Sequence, residues 1–192
     1  MAECLSPITG EAPLRPSERD VRFADYLQGL ADAGNAAALA SFRRGLGKPP
    51  GAVPDMLRWL SPWTSASGLR EASVYFQVAS LFALYPCPGG AGGMGETCAQ
   101  LRRCRPGKGL EGRFTRLLGA RGGDLWRHPM GLVALAREAG VPVSWARLAA
   151  DMRHWDHPRR YVQMDWAREF WGVGSGTERS DIHGLAPTRR LI

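Results

Sequence analysis

The chain has 192 residues, 44% of them hydrophobic, with a formal net charge of +7 and a pI near 9.8. That length and apolar fraction fit one or two small folded domains rather than a disordered chain, and the charge points to an anionic partner. No apolar run approaches the roughly 18 residues of a membrane-spanning helix, and the opening MAECLSPITGEAPLRPSERD lacks the basic start and apolar core of a secretion signal.

Helical periodicity runs through the chain. SERDVRFADYLQGLADAG opens on Ser17 as N-cap, sets Val21, Ala24, Leu27 and Leu30 along one side, and stops at Gly34. NAAALASFRRGL predicts a second helix from Asn35 to near Gly45, and VPDMLRWLSPW a short third one ending before Pro62. LREASVYFQVASLFALYP is apolar on almost every side, which predicts the buried centre of a first helical cluster. CPGGAGGMG then reads as a flexible loop. Short helices are expected near 96–104 and 110–119. A second cluster follows in LWRHPMGLVALAREAG, SWARLAADMRHW and RRYVQMDWAREFW, the last repeating Val162, Trp166 and Phe170 at every fourth position. No segment alternates over strand length. The expected fold is all-α, two small helical bundles of eight to nine helices joined by a glycine-rich and basic connection. Its parts are a flexible N-terminus (1–16), a first bundle with the basic segment (17–122), a second bundle (123–172) and a fraying tail (173–192).

The charge is unevenly placed. Residues 1–100 carry a net −1 and residues 128–192 a net +2, whereas residues 101–127 carry +6. Arg102, Arg103, Arg105, Lys108, Arg113, Arg116, Arg121 and Arg127 face only Glu111 and Asp124 there. A charge run is also what a solvated helix face presents, but clustered cations displace condensed counterions from a phosphate chain. Phe114 falls on an apolar stripe with Leu110, Leu117 and Leu118, so few rings are left for stacking on bases. Tracking of a nucleic-acid backbone fits better than reading of sequence.

Tests for catalytic sites fail. In FRRGLGKPPG, aligning Gly47-Lys48 with the end of a phosphate-binding loop puts Phe42 where its first glycine belongs and Pro49 where its hydroxyl belongs. The dinucleotide fingerprint fails at Pro50. The stretch reads instead as a helix stop carrying a basic corner of Arg43, Arg44 and Lys48. In HWDHPRR, His154, Asp156 and His157 have ligand chemistry, but the spacing favours Asp156 capping the following helix while the histidines pair locally. Arg159 and Arg160 are further candidate phosphate contacts, with Asp156 and Glu169 as alternative local partners. For Arg153 and Arg168 a surface ion pair is an equal alternative to a phosphate contact. Cys4, Cys87, Cys98 and Cys104 are spaced too loosely for a zinc module and read as reduced thiols in a cytoplasmic protein. No cofactor, metal or catalytic residue is expected.

Two long segments, FADYLQGLADAGNAAALASFRRGLGKPPGAVPDMLRWL and GVPVSWARLAADMRHWDHPRRYVQMDWAREFW, resemble the CasB family, the small subunit of the type I-E CRISPR surveillance complex, Cascade. RRGLGKPPG, then GVPVxWARLxxDxxxWDHP, then VQxxWAREFW is a specific combination. The resemblance covers residues 18–172, departs across 87–110 and does not reach the tail. It implies an all-helical, two-lobed, non-enzymatic subunit that packs as paired copies along an RNA-guided complex. Implied partners are the large and backbone subunits, CRISPR RNA and target DNA, with a basic path for the displaced strand that stabilises the R-loop. The residues expected to form it are Arg43, Arg44, Lys48, Arg102, Arg103, Arg105, Lys108, Arg113, Arg116, Arg121, Arg159 and Arg160. The alternative is a purely architectural subunit whose cations meet protein.

Overall fold

In the computed structural model, which describes residues 15–65, 67–122 and 125–172, the first helix begins where Ser17 caps it. The Ser17 hydroxyl accepts from the Asp20 amide at 3.3 Å and the Asp20 carboxylate accepts from the Ser17 amide at 2.8 Å, a reciprocal capping box. This helix, α1 (Glu18–Asp32), stops before Gly34, whose φ of 62° is open to glycine at little cost. Its buried face is Asp20, Phe23 and Leu27, with Ala24 and Leu30 partly covered. Val21, expected on that face, is 43% exposed, because the stripe is centred on the larger Phe23 ring and Val21 falls beside it.

Asn35 caps α2 (Ala36–Arg44) by accepting from the Ala38 amide at 3.0 Å. The third helix, α3 (Pro54–Thr64), runs through Pro62 rather than ending before it. Pro62 and Arg58, four residues earlier, both lie on the exposed side, so the carbonyl deprived of its donor faces water. The chain continues through α4 (Leu69–Leu84), α5 (Met94–Cys104), α6 (Lys108–Gly119), α7 (Arg127–Ala139), α8 (Trp145–Arg153) and α9 (Tyr161–Trp171). Among the described residues there is no strand, and the fold is all-α as the periodicity predicts. Residues 1–14, with Cys4, and the tail 173–192 lie outside the described residues.

Every residue of α4 from Val74 to Ala83 is buried. The helix packs against α2 and α3 and also against α7 and α8, and the buried apolar side chains form one continuous cluster. Val162, Trp166 and Phe170 are fully buried, as their spacing predicts. Arg153, expected at the surface, is instead largely buried: it pairs with the fully buried Asp20, lies 3.6 Å from Glu71 and donates to the Tyr75 hydroxyl at 3.2 Å, tying α1 and α4 to the end of α8. Arg168 pairs with Asp165 at 2.9 Å on the surface.

The glycine-rich stretch 87–95, read from sequence as a flexible loop, is a close-approach segment. A Cβ on Gly95 would lie 2.2 Å from the Trp166 carbonyl oxygen, and one on Gly93 would lie 2.7 Å from the Glu169 carboxylate. The glycines let α5 lie directly on α9. Glu169 then accepts from the amides of Gly93 and Glu96, both at 3.2 Å, so a carboxylate from α9 caps the start of α5. Nearby, Asp151 accepts from Arg147 Nε at 2.8 Å and from Trp166 Nε1 at 2.7 Å in the interior.

Candidate nucleic-acid interface

The basic corner forms because α2 ends at a close contact. A Cβ on Gly45 would lie 2.4 Å from Met56 Sδ and 2.6 Å from the Ser80 hydroxyl, so glycine lets the chain pass there without displacing either side chain. Arg43 donates through Nε to the Ala83 carbonyl at 2.9 Å, and Arg44 pairs with Asp55. Gln77 of α4 donates to the Lys48 carbonyl at 2.6 Å and pins the loop, while the Lys48 side chain is exposed and forms no ion pair among the described residues.

Lys48 stands on the wall of a groove of about 930 Å³. The walls are the 47–50 loop, the start of α4, Gly122 with Leu125, Trp126 and Arg127, and the end of α8. Among the described lining residues there are four cations, Lys48, Arg70, Arg127 and Arg153, against the carboxylates of Glu71 and Asp156. Arg153 is spent on Asp20, and Asp156 accepts from Arg70 at 2.6 Å. Trp126 is the only ring among the described lining residues. The groove is therefore positive and poor in stacking surfaces, suited to a phosphate chain rather than to bases.

Arg70 and Arg127 are the groove residues that sequence reasoning missed. Arg127 ends the basic run, but Arg70 lies in the half whose net charge is −1. Its one signal is position: a cation in the first turn of a helix opposes the macrodipole and calls for a partner.

The 102–121 cations stand outside this groove and have several fates. The Arg102 guanidinium lies 4.7 Å from the centre of the Phe170 ring. Arg103 pairs with Glu96 and Arg105 with Glu138, both at 3.1 Å. Phe114 and Leu117 point into the core, leaving Arg113 and Arg116 on the exposed face of α6, where Arg116 Nε donates to the Gly112 carbonyl at 3.0 Å. Arg121 is exposed just beyond. Lys108 opens α6, and its side chain lies outside the described residues. Arg105 and Arg113 share the wall of a second, smaller pocket. Arg160 holds a left-handed backbone at φ 50° and donates to the Leu118 carbonyl; Arg159 is exposed, with its amide donating to His157 Nδ1 at 3.3 Å.

The HWDHPRR turn corrects one expectation. Asp156 does not cap α9, whose first residue follows Arg160 with no side-chain cap; it reaches across to Arg70. The histidines pair locally, His154 Nδ1 with the Tyr161 hydroxyl at 2.6 Å and His157 against the Tyr161 ring at 4.8 Å. Burial, reinforced by Arg153 and His157, lowers the His154 pKa. Trp155 is buried and donates to the Ala120 carbonyl at 2.9 Å. Cys87 and Cys98 are buried free thiols raised in pKa by desolvation, and Cys104 is free and exposed. Among the described residues no group of three His, Cys, Asp or Glu is placed to hold a metal, and no helix is long and apolar enough to cross a membrane.

Comparison with known proteins places these features in a family. Residues 38–171 match the family described as CRISPR-associated protein Cse2. The CRISPR-associated protein Cse2 of Thermus thermophilus is 35% identical over 162 residues, covering 82% of this chain and 92% of its own length. A crystal structure of a Cse2-family protein from the same organism superposes with a TM-score of 0.71 at 30% identity, over 80% of this chain and 98% of that one. The crystal structure of M. ruber CasB gives a TM-score of 0.67 at 28% identity, over 82% of this chain and 94% of that one. The chain belongs to the Cse2 family.

Proposed function

We propose that this Cse2-family chain is a non-catalytic small subunit of a cytoplasmic CRISPR RNA-guided surveillance complex, binding nucleic-acid backbone without sequence preference and stabilising the displaced strand of the R-loop. The observation that carries the reading is the groove between the 47–50 loop, α4 and Leu125–Arg127, where Lys48, Arg70 and Arg127 line the wall with Trp126 as the one ring among the described lining residues. Phosphate neutralisation there requires no base contacts, because pairing with the guide supplies specificity. Arg116 and Arg121 on the α6 side extend the positive surface. The partners are the large and backbone subunits, CRISPR RNA and target DNA, with a second copy of the chain beside the first.

A second reading, a purely architectural subunit, draws on the cations that are already committed. Arg43 and Arg160 bind carbonyls, and Arg44, Arg103 and Arg105 hold carboxylates within the chain. Titrating the isolated chain with a labelled single strand across a salt series separates the two. Binding that weakens steeply with salt supports phosphate contact; no binding at low salt overturns it in favour of the architectural role.

A further inference from the structure

We infer that the small pocket where α5, α6 and α7 meet docks an apolar side chain carried on an acidic segment of another protein subunit. The inference rests on the subunit part of the reading above, and it reassigns Arg105 and Arg113 from nucleic acid to protein.

The pocket encloses about 260 Å³, room for a leucine, methionine or phenylalanine side chain. Its walls are aliphatic: Leu101 and Leu110 from the packed core, Leu135 from α7 and Pro106 from the turn. Water entering such a space finds almost no polar atom to bond, so an apolar occupant is favoured. The lining has no ring for stacking and too few polar atoms for the edges of a base, which argues against a nucleotide.

The rim selects the charge of what arrives. Arg105 is held in place by Glu138 at 3.1 Å, and Arg113 is exposed with no ion pair among the described residues. A carboxylate flanking the inserted side chain complements Arg113, the rim cation with no ion pair among the described residues. A second copy of this chain is a poorer match, since it brings a net charge of +7. A buried apolar anchor inside a charged rim is the arrangement that concentrates binding energy at protein interfaces.

Gly109 supplies the test. It lines the pocket inside α6, and a Cβ there has nothing within 4 Å, so Gly109→Leu adds apolar bulk at the pocket wall and improves helix propensity. The full-length chain is titrated onto a guide-loaded surveillance complex assembled without this subunit, in the absence of target DNA. In parallel it is titrated onto oligo(dT). The expected result is at least a tenfold loss of affinity for the complex, with oligo(dT) affinity within twofold of wild type. Arg113→Glu, on the exposed face, is expected to weaken complex binding as well, and it decides the matter should Gly109→Leu fail to fold. Wild-type binding of the complex by both variants overturns the inference, as does a matching loss on oligo(dT) by Gly109→Leu, which assigns the pocket to nucleic acid. Failure of the wild-type chain itself to join the complex overturns the subunit reading and the inference with it.

Discussion

Asp156 is the groove residue whose removal is predicted to strengthen binding. Its carboxylate holds Arg70 at 2.6 Å on the groove wall, cancelling one of the groove's positive charges. Asp156→Asn keeps the shape, removes the charge and releases Arg70. Each phosphate neutralised on a single strand adds about 0.7 to the slope of log K against log salt; one more contact raises affinity about fivefold at 0.1 M salt and about twofold at 0.3 M. The pair is 82% and 45% exposed, so its loss has little effect on folding. The assay is fluorescence anisotropy of a labelled oligo(dT) titrated with wild type and Asp156→Asn across a salt series, with thermal melts as a folding control. Unchanged or weaker binding with an unchanged salt slope refutes the reasoning, because it means Arg70 does not face phosphate.

Lys48→Gln and Arg127→Gln are expected each to lower oligo(dT) affinity about fivefold at 0.1 M salt and to flatten the salt slope by about 0.7, with near-additive loss in the double variant; equal affinities in that titration place the strand elsewhere. Gly95→Ala forces a Cβ to 2.2 Å from the Trp166 carbonyl oxygen, and the expected loss in urea unfolding is about 1–3 kcal/mol or more, whereas Gly109→Ala, with open space around it, is expected to gain up to about 1 kcal/mol. Burial pushes the Asp151 carboxyl up to about 6, although Arg147 and the Trp166 bond pull it down. An acid raised above its unfolded value of about 3.9 stays protonated in the native state after the unfolded chain has ionised, so stability falls as pH rises through that window. Unfolding measured from pH 4 to pH 6 is expected to show the wild type losing about 2 kcal/mol relative to Asp151→Asn; a constant difference across the window contradicts it.

Local signals told most about the helices. The caps at Ser17 and Asn35, and the four-residue repeat of Val162, Trp166 and Phe170, each arise from a few adjacent residues, and each stands in the structure. What escaped the sequence depends on distant partners. The glycines of 87–95 look the same whether the chain moves freely or lies against another helix; only the presence of α9, some 70 residues later, makes them packing residues. Val21 and Leu27 have similar hydropathy, and which of them is buried is set by where Trp63 and Tyr75 meet Phe23. The net charge of 101–127 was legible, but its division was not. The acids that neutralise Arg103 and Arg105 lie on α5 and α7, and Arg70 enters the groove from a segment with no excess charge.

The WDHP signature acquires a physical role from this division. Trp155 donates to the Ala120 carbonyl at 2.9 Å, and Gln163 donates back to the Trp155 carbonyl at 2.7 Å, while Arg160 holds the Leu118 carbonyl. The turn between α8 and α9 thus grips the end of α6 at two carbonyls. It fixes the point from which Gly122, Trp126 and Arg127 enter the groove wall. Asp156, one residue after Trp155, holds Arg70 on the opposite wall. The RRGLGKPPG stretch contributes the third side, with Lys48 pinned through its carbonyl by Gln77. Two motifs that fail every test for catalytic chemistry therefore meet as the walls of one groove. Their residue types answer to geometry: a tryptophan and a glutamine to fix the turn, a glycine at the contact with α4, and an aspartate to hold Arg70 on the groove wall.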